Sequence, residues 1–404
     1  MELKERLESK VLLADDEKIT IENAKDLKAV IDYRKNHDNI FIADVCDLRL
    51  VFRDENETTA DFKKRVNAAL SEAEIEKHIT ESNGLFLDFH TEINGALRHG
   101  VLPLRSIALD SVFERARASC YTILNEEETG DTMVMSRKEK VDFVNKCFKL
   151  YGGKAKILYR DRKITSVMSG QYYHISYANM DNGLNSLKTD FPNLSFKTAN
   201  VSHEFFIETY SLNSDELNED ISLSMAEAGL DVENVDVTIS AYTSDHGKVA
   251  ATFAGRIILD DKAFLFGAPE TIKHAGKKTE KDIEVKAQAL YNAFKDNEER
   301  IKALPSIKIK HPAGCFRLIC KEFKLPKKPA MAIADTLENK TKTTAYEIYF
   351  LLNQLVSVME RDGIDIIRLM TLQEQVAKVL KIDWKKFDKE FLWAREKNKE
   401  EGAA

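Results

Sequence analysis

Proline and glycine are scarce in this chain, with seven and sixteen among 404 residues. So little of either excludes a collagen-like or low-complexity architecture and argues against long disordered linkers. No apolar run approaches the roughly 20 residues that a membrane-spanning helix needs. The opening Met1-Glu-Leu-Lys-Glu-Arg-Leu-Glu lacks the apolar stretch of a signal peptide. Cysteine is limited to Cys46, Cys120, Cys147, Cys315 and Cys320. That odd, scattered set predicts reduced, buried thiols with neither a disulfide framework nor a zinc spacing. Together these absences predict a soluble protein of the host-cell cytoplasm.

Positive charge is missing locally. From Thr198 to Gly247 there is no Lys or Arg, whereas that stretch holds eleven carboxylates, from Glu204 to Asp245. Between Arg300 and Lys328 the balance inverts, with nine Lys or Arg against one acid, Glu322. The formal net charge of -7 hides this polarity. A basic block with apolar residues interleaved suits an anion or nucleic acid, while a long acidic stretch repels phosphate.

At 404 residues and 43% apolar content the chain can bury two or three packed units. Residues 1–150 read mainly as helix: Phe62, Val66, Ala69 and Ala73 share a face after a Thr58 or Thr59 cap, and 104–124 and 136–151 show similar stripes. Residues 151–275 change to period two. Ala155–Tyr159 and Ile164–Met168 flank the polar turn Arg160-Asp-Arg-Lys, and Val235, Val237, Ile239 and Ala241 alternate with polar neighbours. Residues 276–404 return to helix and contain the basic block. The expected class is α+β, a central, mostly antiparallel sheet flanked by N-terminal and C-terminal helical regions.

Candidate chemistry is thin. His203, Glu204, Asp245, His246 and His274 have ligand chemistry but no spacing that brings two together, so no metal is expected. Gly152-Gly-Lys and Gly267-Ala-Pro lack the phosphate-loop spacing, and Gly363-Ile-Asp lacks the strand-turn that precedes a nucleotidyltransferase carboxylate pair. No cofactor is implied, and a metal-dependent enzyme is the weakest alternative. The expected nucleic-acid contacts are Lys308, Lys310, Arg317, Lys321, Lys324, Lys327 and Lys328, joined by Arg160, Arg162, Lys163 and Tyr172 of the hairpin region. Tyr173, Tyr177 and Phe316 are further stacking candidates. The bland alternative is a solvated lysine face.

Leu158-Tyr-Arg-Asp-Arg-Lys-Ile-Thr-Ser-Val-Met-Ser-Gly-Gln-Tyr, with Ser169 and Tyr172 as a Ser-x-x-Tyr segment, resembles the phage- and plasmid-encoded proteins gathered as domain of unknown function 932. Thr243-Ser-Asp-His-Gly is similar to that family's Asn/Thr-Ser-x-x-Gly turn, and the 104–116 segment to its upstream helix. The likeness spans roughly residues 100–390. It implies a mobile-element setting, often beside recombination, antirestriction or repair genes, and offers no agreed catalytic set to carry over. The expected function is non-enzymatic binding of single-stranded DNA in annealing or recombination. The alternative is a phage counter-defence protein that docks a host defence protein through the acidic stretch. Homo-oligomerisation is left open.

Overall fold

The computed structural model describes residues 2–118, 135–227, 229–245, 250–260, 262–267, 269–276, 278–361 and 366–393. Cys120, His246, Gly363, Asp365 and the tail after Arg395 lie outside them.

The N-terminal region opens with helix α1 (Leu3–Glu8), strand β1 (Ile19–Ile21) and helix α2 (Ala24–His37), the last capped by Asn23. Strands β2 (Asn39–Asp44) and β3 (Arg49–Phe52) follow, then helices α3 (Thr59–Val66) and α4 (Glu72–Glu81). Strands β4 (Leu85–Ile93) and β5 (Ala96–Pro103), helix α5 (Leu109–Arg115) and helix α6 (Arg137–Leu150) complete it.

Among the described residues of the first 150, five strands are thus interleaved with the helices. Leu85-Phe-Leu-Asp-Phe-His alternates at its far end and pairs with β5 from Phe86–Pro103 to Ile93–Ala96. The 58–75 stripe is two helices. Asn67 adopts a left-handed φ of 52°, which stops the first, and Ser71 caps the second with a reciprocal Glu74 contact. Within the 104–124 stripe the described residues form a short turn at Ser106–Ala108 and then α5, and Pro103 still belongs to a strand.

The hairpin of β6 (Lys154–Arg160) and β7 (Lys163–Ser169) forms as expected. It joins β2 in a three-stranded sheet, order β2-β6-β7, beside a second of order β3-β4-β5. Residue 150 is thus no boundary, since the hairpin completes a sheet begun at Asn39. Helix α7 (Tyr177–Asn185) then leads to β8 (Ser195–Val201), β9 (Phe205–Ser211) and helix α8 (Asp215–Glu227). After them come β10 (Val235–Ser244), β11 (Ala251–Leu259), β12 (Lys262–Leu265) and β13 (Glu270–Ile272). These make the large antiparallel sheet, order β1-β8-β9-β10-β11-β12, with β13 also on β11.

Helix α9 (Glu280–Ala303), capped by Thr279, lies against α7 and this sheet. Strand β14 (Lys308–Ile309) pairs with β15 (Thr343–Thr344). Between them are α10 (Pro312–Glu322) and α11 (Lys327–Thr336), and after them α12 (Ala345–Arg361), α13 (Ile366–Lys378) and α14 (Trp384–Phe387). The architecture is α+β, with a central antiparallel sheet. Ile157, Ile164 and Val167 of the hairpin pack into a core shared with β3, β4 and α6. Cys315, Phe316 and Ile319 of α10 belong instead to the large core around the central sheet. No helix among the described residues is long and apolar enough to cross a membrane.

Candidate nucleic-acid interface

The nine cations of 300–328 do not share a face. Lys302 turns back on carboxylates, 2.5 Å from Asp220 and 2.7 Å from Glu298. Arg317 is 3% exposed and is bound to Glu338, with Asp335 at 3.9 Å. It is a structural cation, which corrects its assignment as a ligand contact: in helix α10 its position points into the core alongside Ala313 and Cys320. Lys308 and Lys310 are exposed on either side of buried Ile309, as strand alternation requires.

Lys321, Lys324 and Lys327 do converge. Helix α10 ends at Glu322, and the Leu325 N–H closes on the Cys320 carbonyl at 2.8 Å. Lys324 takes a left-handed φ of 54° in that closure. Pro326 then starts α11 with Lys327 at its first position. This tight reversal places the three lysines around one open cleft of about 390 Å³. Its other walls are Phe391 and Trp393. The Lys321 ammonium stands 5.0 Å from the Phe391 ring centre, and that of Lys327 stands 5.5 Å from Trp393. No carboxylate among the described residues forms an ion pair with Lys321, Lys324 or Lys327. Lys328 is exposed but does not line the cleft.

Two contacts hold the 388–393 segment there. The Asp388 carboxylate accepts the Lys310 and His311 N–H groups at 2.8 Å. Gly314 lets the chain approach α10, because a Cβ at that position would collide with the Lys389 carbonyl. Sequence reasoning missed Phe391 and Trp393. Their period suggested helix from Trp384 onward, but the helix stops at Phe387 and the aromatic residues sit on an irregular strap. Of the expected stackers, Phe316 is wholly buried and Tyr177 nearly so, while Tyr173 is half-buried.

The hairpin residues diverge. Arg160 is 1% exposed and joins Asp38 to Asp245, which lies 2.5 Å away. Burial alone would lift the Asp245 carboxyl, but Arg160 and His174 outweigh it and hold it well below the usual range. Burial equally disfavours the Arg160 charge, yet Asp245 and Asp38 raise its affinity for the proton. Arg160 is a brace between α2, the hairpin and the end of β10, which corrects its assignment as a DNA contact. Tyr172 is also buried: its ring stacks on His274 at 4.9 Å, and its hydroxyl donates to the Ser244 carbonyl at 3.1 Å. Lys163 bonds Asp15 at 2.8 Å, and Arg162 remains exposed. The hairpin and the lysine cleft are built on different cores and do not form one site.

Eight of the eleven carboxylates of the acidic stretch are exposed. Asp245 and Glu208 are buried, Asp236 pairs with Lys197 at 2.5 Å, and Asp220 pairs with Lys302. Glu216 and Glu219 on α8 stay exposed. The candidate metal ligands do not gather. His203 faces the Leu13 carbonyl at 3.2 Å, His274 faces that of Tyr173 at 3.0 Å, and the described residues hold no group of three potential ligands. Burial pushes the Cys315 thiol up to about 12. Cys46, in contrast, is exposed, in the short turn before β3.

An α+β frame thus carries an open cleft lined by Lys321, Lys324, Lys327, Phe391 and Trp393. Compared with known proteins, the chain matches no family model, no curated protein and no solved structure.

Proposed function

We propose that this protein binds single-stranded nucleic acid through the cleft of Lys321, Lys324, Lys327, Phe391 and Trp393, without catalysing a reaction. The observation that carries this reading is the gathering of three ammonium groups, none in an ion pair with a described carboxylate, around one opening beside the half-buried Phe391 ring, with the buried Trp393 behind it. Phosphates satisfy the first and an unstacked base the Phe391 ring, the combination that single-strand binders use. A duplex offers no free base faces, and the overall negative charge opposes non-specific duplex binding. The likeness to mobile-element proteins suggests annealing or recombination as the setting.

The test is fluorescence anisotropy with a labelled single-stranded oligonucleotide. The wild-type protein binds with an affinity that falls as salt rises, with a logarithmic slope of about -2 if three phosphates are engaged. The triple variant Lys321→Glu, Lys324→Glu, Lys327→Glu loses binding while keeping its thermal midpoint. Equal binding by the triple variant, or no binding by wild type at low salt, refutes the reading.

A further inference from the structure

The hairpin tip carries a residue that its backbone does not favour. Arg160 pairs with Lys163, so Asp161 and Arg162 alone make the turn, with φ of 46° and 67°. Such a two-residue turn needs positive φ at both positions, and its second position is the usual place for glycine. Asp tolerates that conformation, and Asp161 is tied down by the Tyr33 hydroxyl at 2.6 Å and Arg34 at 3.1 Å. Arg162 has no such fastening. It is exposed, it forms no ion pair among the described residues, and its side chain lines a cleft of about 570 Å³.

Apart from the exposed Asp16, the other charges of this cleft are already engaged. Asp15 is bound by Arg105 and Lys163, and Lys77 lies 3.8 Å from Glu81. Glu74 is occupied in capping its own helix through Ser71. The half-buried Tyr159 ring, with Leu13, Leu70 and Pro103, supplies an apolar wall. We infer that this cleft binds a nucleoside monophosphate, its phosphate on Arg162 and its base along the Tyr159 wall. The volume falls within the range of small-molecule sites, and a guanidinium is the side chain best shaped for two phosphate oxygens. Asp16, on the rim, can accept from ribose hydroxyls.

This inference is independent of the lysine cleft, and its experiment keeps the two apart. AMP, GMP, CMP and UMP are titrated separately into the full chain by calorimetry, with adenosine and inorganic phosphate as controls. At least one nucleotide binds, about tenfold or more tighter than either control. Arg162→Gly removes that binding by a similar factor while leaving the thermal midpoint unchanged or higher, because glycine relieves the positive φ. Tyr159→Leu weakens the nucleotide and leaves phosphate unaffected. The inference falls if none of the four binds at millimolar concentration, or if phosphate binds as well as the nucleotide. It also falls if Arg162→Gly binds normally, or if the Lys321, Lys324, Lys327 triple variant abolishes nucleotide binding.

Discussion

Replacing Glu208 by glutamine should stabilise this protein, and increasingly so as pH rises. Glu208 sits in the middle of β9, 0% exposed, between Ala199 of β8 and Ala241 of β10. No N–H or O–H donor reaches either of its oxygens. Burial, and then the neighbouring Asp181 carboxyl, push its proton affinity well above the usual 4.5. Tyr210, two residues on, donates to Asp181 at 2.7 Å. A proton held by Glu208 and shared with Asp181 satisfies the pair, and a glutamine amide can make the same donation at any pH.

In the unfolded chain Glu208 ionises near its ordinary value. A folded value above the unfolded one means that its stabilising contribution is complete below about pH 4.5 and is lost as pH rises toward the folded value. Over that window the loss is about 1.4 kcal/mol per pH unit. Urea unfolding of wild type and Glu208→Gln at half-unit steps from pH 5 upward gives the difference directly. His78 and His203, which burial keeps neutral, titrate alike in both proteins and cancel. The expected difference favours the variant and grows at that slope before levelling off. Parallel stability curves would refute the shared-proton arrangement.

Arg160→Met should cost about 3–5 kcal/mol in denaturant unfolding, since it strands the buried Asp245; a loss below 1 kcal/mol would mean that the brace is not structural. Gly314→Ala should displace the 389–391 segment and lower single-strand affinity, although Gly314 is itself buried and touches no ligand; unchanged affinity would separate the strap from the site. Phe391→Ala should cost about 1–3 kcal/mol of single-strand binding in anisotropy titrations. On acidification below pH 6.5, His78 should lose stability at about 1.4 kcal/mol per unit, because burial lowers its folded value to about 4. His78→Gln should flatten that limb of the pH profile, and an unaltered profile would place the acid sensitivity elsewhere.

Much of the strand structure after residue 150 was legible because its signals are local. The alternation of Val235, Val237 and Ile239 and the polar tip at Asp161 specify strand and turn within a dozen residues. The Thr58, Ser136 and Thr279 caps also mark their helices in the chain itself. The strands of the first 150 residues were obscured, because Leu85-Phe-Leu carries apolar side chains on both faces and shows no clean period.

The sequence by itself determined the α+β class, the hairpin and the uneven distribution of charge. Only the tertiary structure decided which charges remain available. Desolvation makes a buried ion seek its opposite wherever the fold supplies one, so Arg160 and Arg317 are consumed by acids far along the chain. Lys321, Lys324 and Lys327 are left at the surface, beside two rings that arrive from about seventy residues further on. A run of lysines reports how much charge is present; which of it can meet a ligand is settled by what packs against it.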